Sequence, residues 1–190
     1  MISRPTVLAL WACLLILGLS PALPARSSAE LPEFPTPAEG ISTENRAILD
    51  PWTGRWAGEF VVYAADGAVL TRLRVEQHYR WDGPIQRATF REVNERGEVV
   101  TAEAANYQDA QGRLICTVEK SNGERSLHVG RMSDGYLFWS ADRPGVTETF
   151  RERVEGEGSA AAYEIHGLGV YDGAAYLFHG RYERPDDGGP

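Results

Sequence analysis

The fold is decided by one stretch of the chain, residues 54–78, which reads GRWAGEFVVYAADGAVLTRLRVEQH. Near its middle, Asp66-Gly67 is a dipeptide that readily adopts the positive φ angles of a tight hairpin turn. The residues on both sides alternate between apolar and charged types, the period of a strand with one buried face. This stretch therefore predicts an antiparallel hairpin.

The pairing across this turn separates two faces. A two-residue turn places Phe60 opposite Leu73 on a mostly apolar face, and Glu59 opposite Arg74 on a charged face. Opposite charges that face each other outside an apolar layer are typical of a half-buried antiparallel pair. His78 falls on the charged face, where we expect it to be solvated.

Glycine turns of the same kind recur every 10 to 16 residues along the chain. Nine reversals predict about ten strands in sequence order, and so long a meander usually closes to protect its edges. We therefore predict an all-β, up-and-down antiparallel barrel of about ten strands. The later turns contain Gly83, Gly97, Gly112, Gly123, Gly135, Gly145, Gly158 and Gly173.

The last hairpin, around residues 172–173, combines aromatic residues with three glycines. Its predicted register sets Tyr163 opposite Tyr182, and large side chains over cross-strand glycines suit a bent sheet. The other face sets His166 opposite His179. A shift of one residue would put the two histidines on different faces.

The chain divides into four segments by composition. An apolar run after Arg4, followed by small residues, predicts a secretory signal peptide. A proline-rich segment follows, which we expect to be flexible or extended, and Ser42 to Asp50 predicts one short helix capped by Ser42. The segments are a signal peptide, 1–25; a leader, 26–42; a barrel domain, 43–184; and a disordered tail, 185–190.

The signal peptide predicts a periplasmic or secreted protein with no membrane span after cleavage. Two alternatives remain open, an uncleaved signal anchor and lipidation at Cys13, whose surroundings loosely resemble a lipobox. Cleavage leaves Cys116 as the one cysteine, so no intramolecular disulfide is expected. Lys120 is the only lysine beside eighteen arginines, a bias that suggests a bacterial source.

The net charge argues against one class of partner. The formal charge of the chain is −8, and removal of the signal peptide takes away Arg4 and no acid. No basic cluster is concentrated enough to hold phosphates, so nucleic acid is not an expected partner.

A short motif at the start of the first strand, Gly54-Arg55-Trp56, resembles the signature of the calycin superfamily. That superfamily includes lipocalins, fatty-acid-binding proteins and nitrobindin-like bacterial barrels. In lipocalins a basic residue from the end of the last strand packs over this tryptophan, and Arg181 and Arg184 stand at the matching place. The resemblance implies a ligand-binding barrel with Gly54, Trp56 and one of these arginines in structural roles.

The resemblance also implies a cofactor question. Nitrobindin-like proteins hold haem through a histidine near the C-terminus, and His179 occupies the corresponding position. The downstream spacing departs from that family's pattern. The expectation is therefore a barrel without a cofactor, with haem at His179 as an alternative.

The candidate ligand is a small apolar or amphipathic molecule, because ten strands enclose more volume than side chains readily fill. Tyrosine hydroxyls would orient it. The candidate ligand-binding residues are Trp56, Tyr136, Phe138, Tyr163, His166, Tyr176, His179 and Tyr182.

Other functions stay open at this point. A filled interior would leave a structural or interaction protein of the cell envelope. The histidine pair would suit acid–base chemistry or a metal, but no nucleophile, paired carboxylate or third ligand is evident beside it. No catalytic residue is therefore assigned, and an enzyme is the less expected class.

Overall fold

The computed structural model describes residues 33–143 and 145–185. The predicted signal peptide, the first part of the leader and the tail from residue 186 lie outside these residues. The described residues form a closed barrel of ten antiparallel strands in sequence order, with β1 paired to β10. This confirms the predicted up-and-down barrel.

The barrel is preceded by the helix α1 (Thr43–Leu49) and a 3₁₀ turn (Asp50–Trp52), and a second 3₁₀ turn (Gly158–Ala160) joins β8 to β9. The strands are β1 (Gly54–Ala64), β2 (Val69–Asp82), β3 (Ile85–Asn94), β4 (Val99–Gln108), β5 (Leu114–Lys120), β6 (Arg125–Ser133), β7 (Tyr136–Arg143), β8 (Val146–Glu155), β9 (Ala162–Tyr171) and β10 (Ala174–Glu183).

The turns lie where the glycine rhythm predicts them. All nine predicted turn glycines have positive φ. Asp134 and Asp172, which precede two of them, also have positive φ, at 51° and 49°. Two successive residues with positive φ are the geometry of a type I′ hairpin turn, which matches the twist of the flanking strands.

The first hairpin has the predicted register by a different route. Phe60 pairs with Leu73 as expected, but Tyr63 pairs with Val69, so the turn is longer than two residues. The register shifts between Val62 and Tyr63, and on the side of Val62 away from the turn the pairs follow the predicted register. Such a bulge adds one residue to one strand and bends it locally.

The last hairpin also has the predicted register. Tyr163 pairs with Tyr182 and His166 with His179. The ring of Phe178 lies over Gly167, where a Cβ atom would come within 3.0 Å of it. The absence of a side chain at Gly167 thus lets an aromatic ring fill this curved part of the barrel.

The helix caps one end of the barrel. The Ser42 hydroxyl accepts from the Asn45 backbone N–H at 3.1 Å, as a helix N-cap does. Leu49 and Trp52, 1% and 5% exposed, close this end of the interior. The Gln86 side-chain amide donates to the Leu49 carbonyl at 2.7 Å and ties the helix to β3.

The described part of the leader runs extended along the barrel. The Tyr107 hydroxyl donates to the Pro35 carbonyl at 2.6 Å, and the Ala38 N–H donates to the Gln108 carbonyl at 2.8 Å. These contacts hold the leader against β4. No helix among the described residues has the length and apolar character needed to cross a membrane.

Candidate functional site

The interior contains a small chamber between the helix-capped end and the middle of the barrel, with a volume of about 80 Å³. One water needs roughly 10–15 Å³ on this measure, and an apolar cavity of about 150 Å³ binds benzene. The chamber therefore suits a few waters or a molecule of a few non-hydrogen atoms. Its walls are formed by Leu49, Trp52, Gln77, Tyr79, Phe90, Ala104, Asn106, Cys116, Val118, His128, Leu137, Trp139, Phe150, Glu152, Tyr163, Ile165 and Tyr182.

The floor of the interior is built by the Gly-x-Trp motif. Trp56 is 1% exposed, and its indole N–H donates to the Trp52 carbonyl at 2.7 Å. The Arg184 guanidinium lies 3.9 Å from the centre of the Trp56 ring and donates to the Thr53 carbonyl at 2.7 Å. Of the two arginines predicted for this place, Arg184 is therefore the one that packs over the tryptophan.

The other predicted structural residues have different surroundings. Arg181 points outward and pairs with Glu164 at 3.0 Å. Gly54 has φ of 111°, and a Cβ atom there would lie 2.3 Å from the Arg184 guanidinium. Gly54 thus leaves room for the arginine that covers Trp56.

A buried carboxyl group, Glu152, lies in the chamber wall. The Tyr163 hydroxyl and the Trp139 indole N–H form hydrogen bonds with it, and its residue is 9% exposed. Burial raises the pKa of Glu152 to about 7, because the apolar surroundings disfavour the charged carboxylate and the two hydrogen bonds offset this only in part. None of the ion pairs formed by the described residues includes Glu152.

A relay of amide groups fixes the orientation of Asn106. The Gln86 amide nitrogen donates to the Leu49 carbonyl, so its oxygen is the atom that accepts from the Asn106 amide nitrogen, at 3.0 Å. The Asn106 Oδ1 atom then has no hydrogen-bond partner among the described residues. The same holds for Gln77 Oε1, another buried acceptor in the chamber wall.

Two further polar atoms in the wall have no hydrogen-bond partner among the described residues. They are the Tyr182 hydroxyl and the Trp52 indole nitrogen, on side chains 0% and 5% exposed. An unpaired buried polar group costs about 1–3 kcal/mol, and buried polar groups in proteins are nearly always paired. Four such atoms around one chamber indicate a site for polar guests, whether waters or a ligand.

A second polar cluster adjoins the chamber through His128. The His128 Nε2 atom lies 2.8 Å from a carboxylate oxygen of Glu148, which is 0% exposed, and the Tyr171 hydroxyl donates to the other oxygen. The three side chains satisfy one another within the barrel. The cluster thus holds His128 in place at the chamber wall.

A third buried carboxyl group, Glu92, lies outside the chamber wall. Burial raises the pKa of Glu92 to about 8, although the nearby Lys120 ammonium lowers it in part. Lys120 also pairs with Glu124 at 2.6 Å. The interior is thus more polar than an apolar core, with acids at several levels.

The structure divides the predicted ligand-binding residues between two faces. Trp56, Tyr163, Tyr176 and Tyr182 lie inside the barrel and are buried. Tyr163 and Tyr182 line the chamber, while Trp56 lies in the floor and Tyr176 packs against Tyr171 at a ring distance of 5.7 Å.

The other four predicted residues lie on the outer face of the barrel and do not line the chamber. Tyr136 and Phe138 alternate with the inward Leu137 and Trp139 and are covered by arginine side chains on the outer surface. His166 and His179 stack at 4.8 Å, half-buried, on the same outer surface. The strand period of two is the reason, because neighbours of an inward residue must point outward.

The residues around His179 do not fit the haem of the nitrobindin-like alternative. His179 points away from the interior, and its ring is stacked on His166. The interior chamber has a volume of about 80 Å³, which is far smaller than the volume of a porphyrin. Among the described residues, no group of three or more His, Cys, Asp or Glu side chains is close enough to hold a metal ion.

Sequence reasoning did not identify Glu152, Asn106, Tyr79 or His128 as site residues. The alternation of inward and outward residues could have identified Glu152, because it stands two residues from the inward Phe150 on the same strand. The same alternation could have placed the other three inside. Charged and amide side chains are usually exposed, so residue type alone does not predict an inward position for them.

A larger depression of about 900 Å³ runs across the first five strands and shares Gln77 and Phe90 with the chamber. Outward charged residues form much of its wall, among them Arg55, Glu76 and His78. Of the described residues that line it, Gln77 is the one with an unpaired buried side-chain atom, against four such atoms around the chamber. The chamber is therefore the stronger candidate site.

Comparison with solved structures shows the same barrel in proteins of little sequence identity. An S-type phycobiliprotein lyase, CPES from Guillardia theta, superposes with a TM-score of 0.58 at 8% identity, covering 75% of this chain and 93% of the lyase. Rv2717c from M. tuberculosis superposes with a TM-score of 0.52 at 13% identity, covering 76% of this chain and 98% of that protein. These likenesses concern the fold alone.

No family model and no curated protein matches the chain. The fold and the floor around Trp56 are consistent with the calycin resemblance. Membership of that superfamily stays a prediction.

Proposed function

We propose that this protein binds a small amphipathic molecule in the interior chamber. The observation that carries the proposal is the set of unpaired polar atoms in an aromatic wall, at Gln77, Asn106, Tyr182 and Trp52. A ligand that pairs these atoms relieves the cost of burying them unpaired. Its apolar part would contact the aromatic and aliphatic side chains of the same wall.

The chamber limits the size of the ligand. Pockets for drug-sized ligands are about 300–1,000 Å³, whereas this chamber is about 80 Å³. On the benzene comparison, roughly three non-hydrogen atoms fit without repacking the wall, and a molecule of about five or six requires small shifts of its side chains. A pigment or a long lipid would require many side chains to move.

The proposal is tested by filling the chamber from one wall. Ala104 is 7% exposed and lines the chamber, while its neighbour Ala105 points outward on the same strand. Ala104→Leu should abolish binding of a ligand found by native mass spectrometry of protein purified from its own host. Ala105→Leu is the matched control and should leave binding unchanged.

The competing proposal is a structural or interaction protein with a filled core. It is favoured by the small chamber volume and by the close packing of aromatic rings, such as Tyr163 on Tyr182 at 4.9 Å. A protein that is repeatedly recovered without any bound molecule, and whose spectra do not change with small-molecule libraries, would support this alternative and contradict ligand binding.

We also propose export to the periplasm or beyond, on the basis of the N-terminal sequence. Residues 1–25 have the composition of a cleaved signal peptide. Intact mass measurement of protein recovered from its host should give a mature N-terminus near residue 26. A full-length chain in the cytoplasmic fraction would contradict export.

A further inference from the structure

We infer that the chamber is selective for a small organic cation, such as a primary alkylammonium, over neutral or anionic molecules of the same shape. This inference rests on the proposed ligand-binding function and names its ligand class. It is carried by one carboxyl group that forms no ion pair with the described residues, two unpaired acceptor atoms and an aromatic wall, all lining the same chamber.

Of the described residues that line the chamber, Glu152 is the one with a carboxyl group. Its hydrogen-bond partners, Tyr163 and Trp139, are neutral, and no cationic side chain in the part of the chain that the structure describes compensates it. In a site of low dielectric, an opposite charge within a few ångströms is strongly favoured. A bound ammonium would supply the counter-charge that the protein does not.

The unpaired oxygens of Gln77 and Asn106 accept and cannot donate, and the Asn106 oxygen is held in that orientation by Gln86. Both therefore require a donor on the ligand, and an ammonium carries three. An anion would face the same oxygens with no proton to give. The Trp52 indole N–H is a donor without a partner among the described residues, so the ligand can also carry one acceptor atom.

Tyr79, Phe90 and Trp139 line the chamber together with Tyr163 and Tyr182. The faces of aromatic rings attract cations, and rings grouped around a carboxylate are a recurrent site for organic ammonium groups. Leu137 and Ile165 complete the wall and suit a short hydrocarbon part.

The titratable groups around Glu152 come from several strands. Tyr79 on β2, Tyr163 on β9 and Tyr182 on β10 face it, and burial raises the pKa of all three, so they stay neutral near pH 7. His128 also lines the chamber and is paired with Glu148. A cation bound beside Glu152 lowers the pKa of this carboxyl group, so binding near neutral pH should release a proton from it.

The experiment compares three probes of nearly one shape: isobutylammonium, isobutanol and isobutyrate. Affinities are measured by isothermal titration calorimetry at pH 8, with chemical-shift changes to locate the site. We expect isobutylammonium to bind at least tenfold more tightly than isobutanol, and isobutyrate not to bind. Glu152→Gln should remove this preference for the cation. Glu155→Gln, an exposed position on the same strand, is the matched control.

A second measurement uses the unchanged protein, in case the Glu152 variant does not fold. Titrations at pH 7 in buffers of different ionisation enthalpy count the protons released on binding. Isobutylammonium should release about half a proton, since the pKa of Glu152 is about 7. Isobutanol should release none.

The outcomes separate this inference from the proposed function. Binding of isobutanol or isobutyrate as tightly as isobutylammonium overturns cation selectivity and leaves ligand binding intact. Binding of the ammonium without proton release, or with full preference kept in Glu152→Gln, overturns the role of Glu152. No binding of any probe, in a protein that also carries no molecule from its host, contradicts both proposals.

Discussion

Replacing Trp56 with Ala tests the floor of the barrel. The indole is 1% exposed and packs edge-on against Tyr163 with ring centres 5.7 Å apart. Truncation of a buried aromatic residue costs about 3–5 kcal/mol. The variant also leaves the Trp52 carbonyl without its donor and Arg184 without its ring, each a loss of about 1 kcal/mol. Because these losses overlap, we expect a total of about 4–5 kcal/mol.

The assay is equilibrium unfolding in urea, followed by tryptophan fluorescence and far-ultraviolet circular dichroism, with equal slopes required for the comparison. Two substitutions serve as controls. Trp56→Phe keeps a buried ring and loses the N–H bond, so it should cost about 1–2 kcal/mol. Trp81→Ala removes a half-buried indole that bonds Asp50, and should cost less than Trp56→Ala.

The result that would refute this reasoning is a small effect. If Trp56→Ala lowers the free energy of unfolding by less than about 1 kcal/mol, the indole is not a packed part of the floor. Equal effects of Trp56→Ala and Trp56→Phe would show that the hydrogen bond, rather than ring packing, is the stabilising contact.

Three further predictions concern a buried acid, a close backbone contact and the outer histidines. The pKa of Glu152 is raised to about 7 in the folded state, from 4.5, so the folded protein binds more protons than the unfolded chain between these values and loses stability as pH rises through them. Through Glu152 the free energy of unfolding should fall by on the order of 3 kcal/mol between pH 5 and 9, and Glu152→Gln should remove this loss. Unfolding is measured at both pH values, and an equal fall in the variant would contradict this prediction. A Cβ atom on Gly58 would lie 1.9 Å from a backbone carbonyl oxygen, so Gly58→Ala should lower the free energy of unfolding by more than about 2 kcal/mol. Gly40 has open space around it, so Gly40→Ala should change this free energy by no more than about 0.5 kcal/mol in the same unfolding measurement. Burial and the neighbouring His179 lower the pKa of His166, so its NMR titration should lie below that of an exposed histidine and move upward in His179→Gln; no movement would show that the stacked rings are not coupled.

The strands and turns of this barrel could be predicted because they depend on local sequence. Asp66-Gly67 and the turns like it favour positive φ within two residues, and the alternation beside them selects a face. The helix from Ser42 follows from its N-cap in the same way. The turn length at Asp66-Gly67 was wrong, since pairing of Tyr63 with Val69 and a bulge replaced the two-residue turn.

The candidate site was predicted only in part. Tyr163 and Tyr182 were identified because they oppose each other in the last hairpin, a contact between neighbouring strands. Tyr136 and Phe138 were chosen for their aromatic character, which does not distinguish an inward position from an outward one. Glu152 was not chosen because an acid usually lies on the surface.

The sequence by itself determined the number of strands, their order and most of the pairing in the first and last hairpins, because turns and hairpin pairs involve residues close in the chain. Only the tertiary structure decided which side chains meet in the chamber. Glu152 on β8 reaches Tyr163 on the adjacent β9, but Tyr79 on β2 and Asn106 on β4 come to the same space across the barrel. Such contacts depend on how far the strands tilt and stagger when the sheet closes, and that geometry is set by all ten strands together.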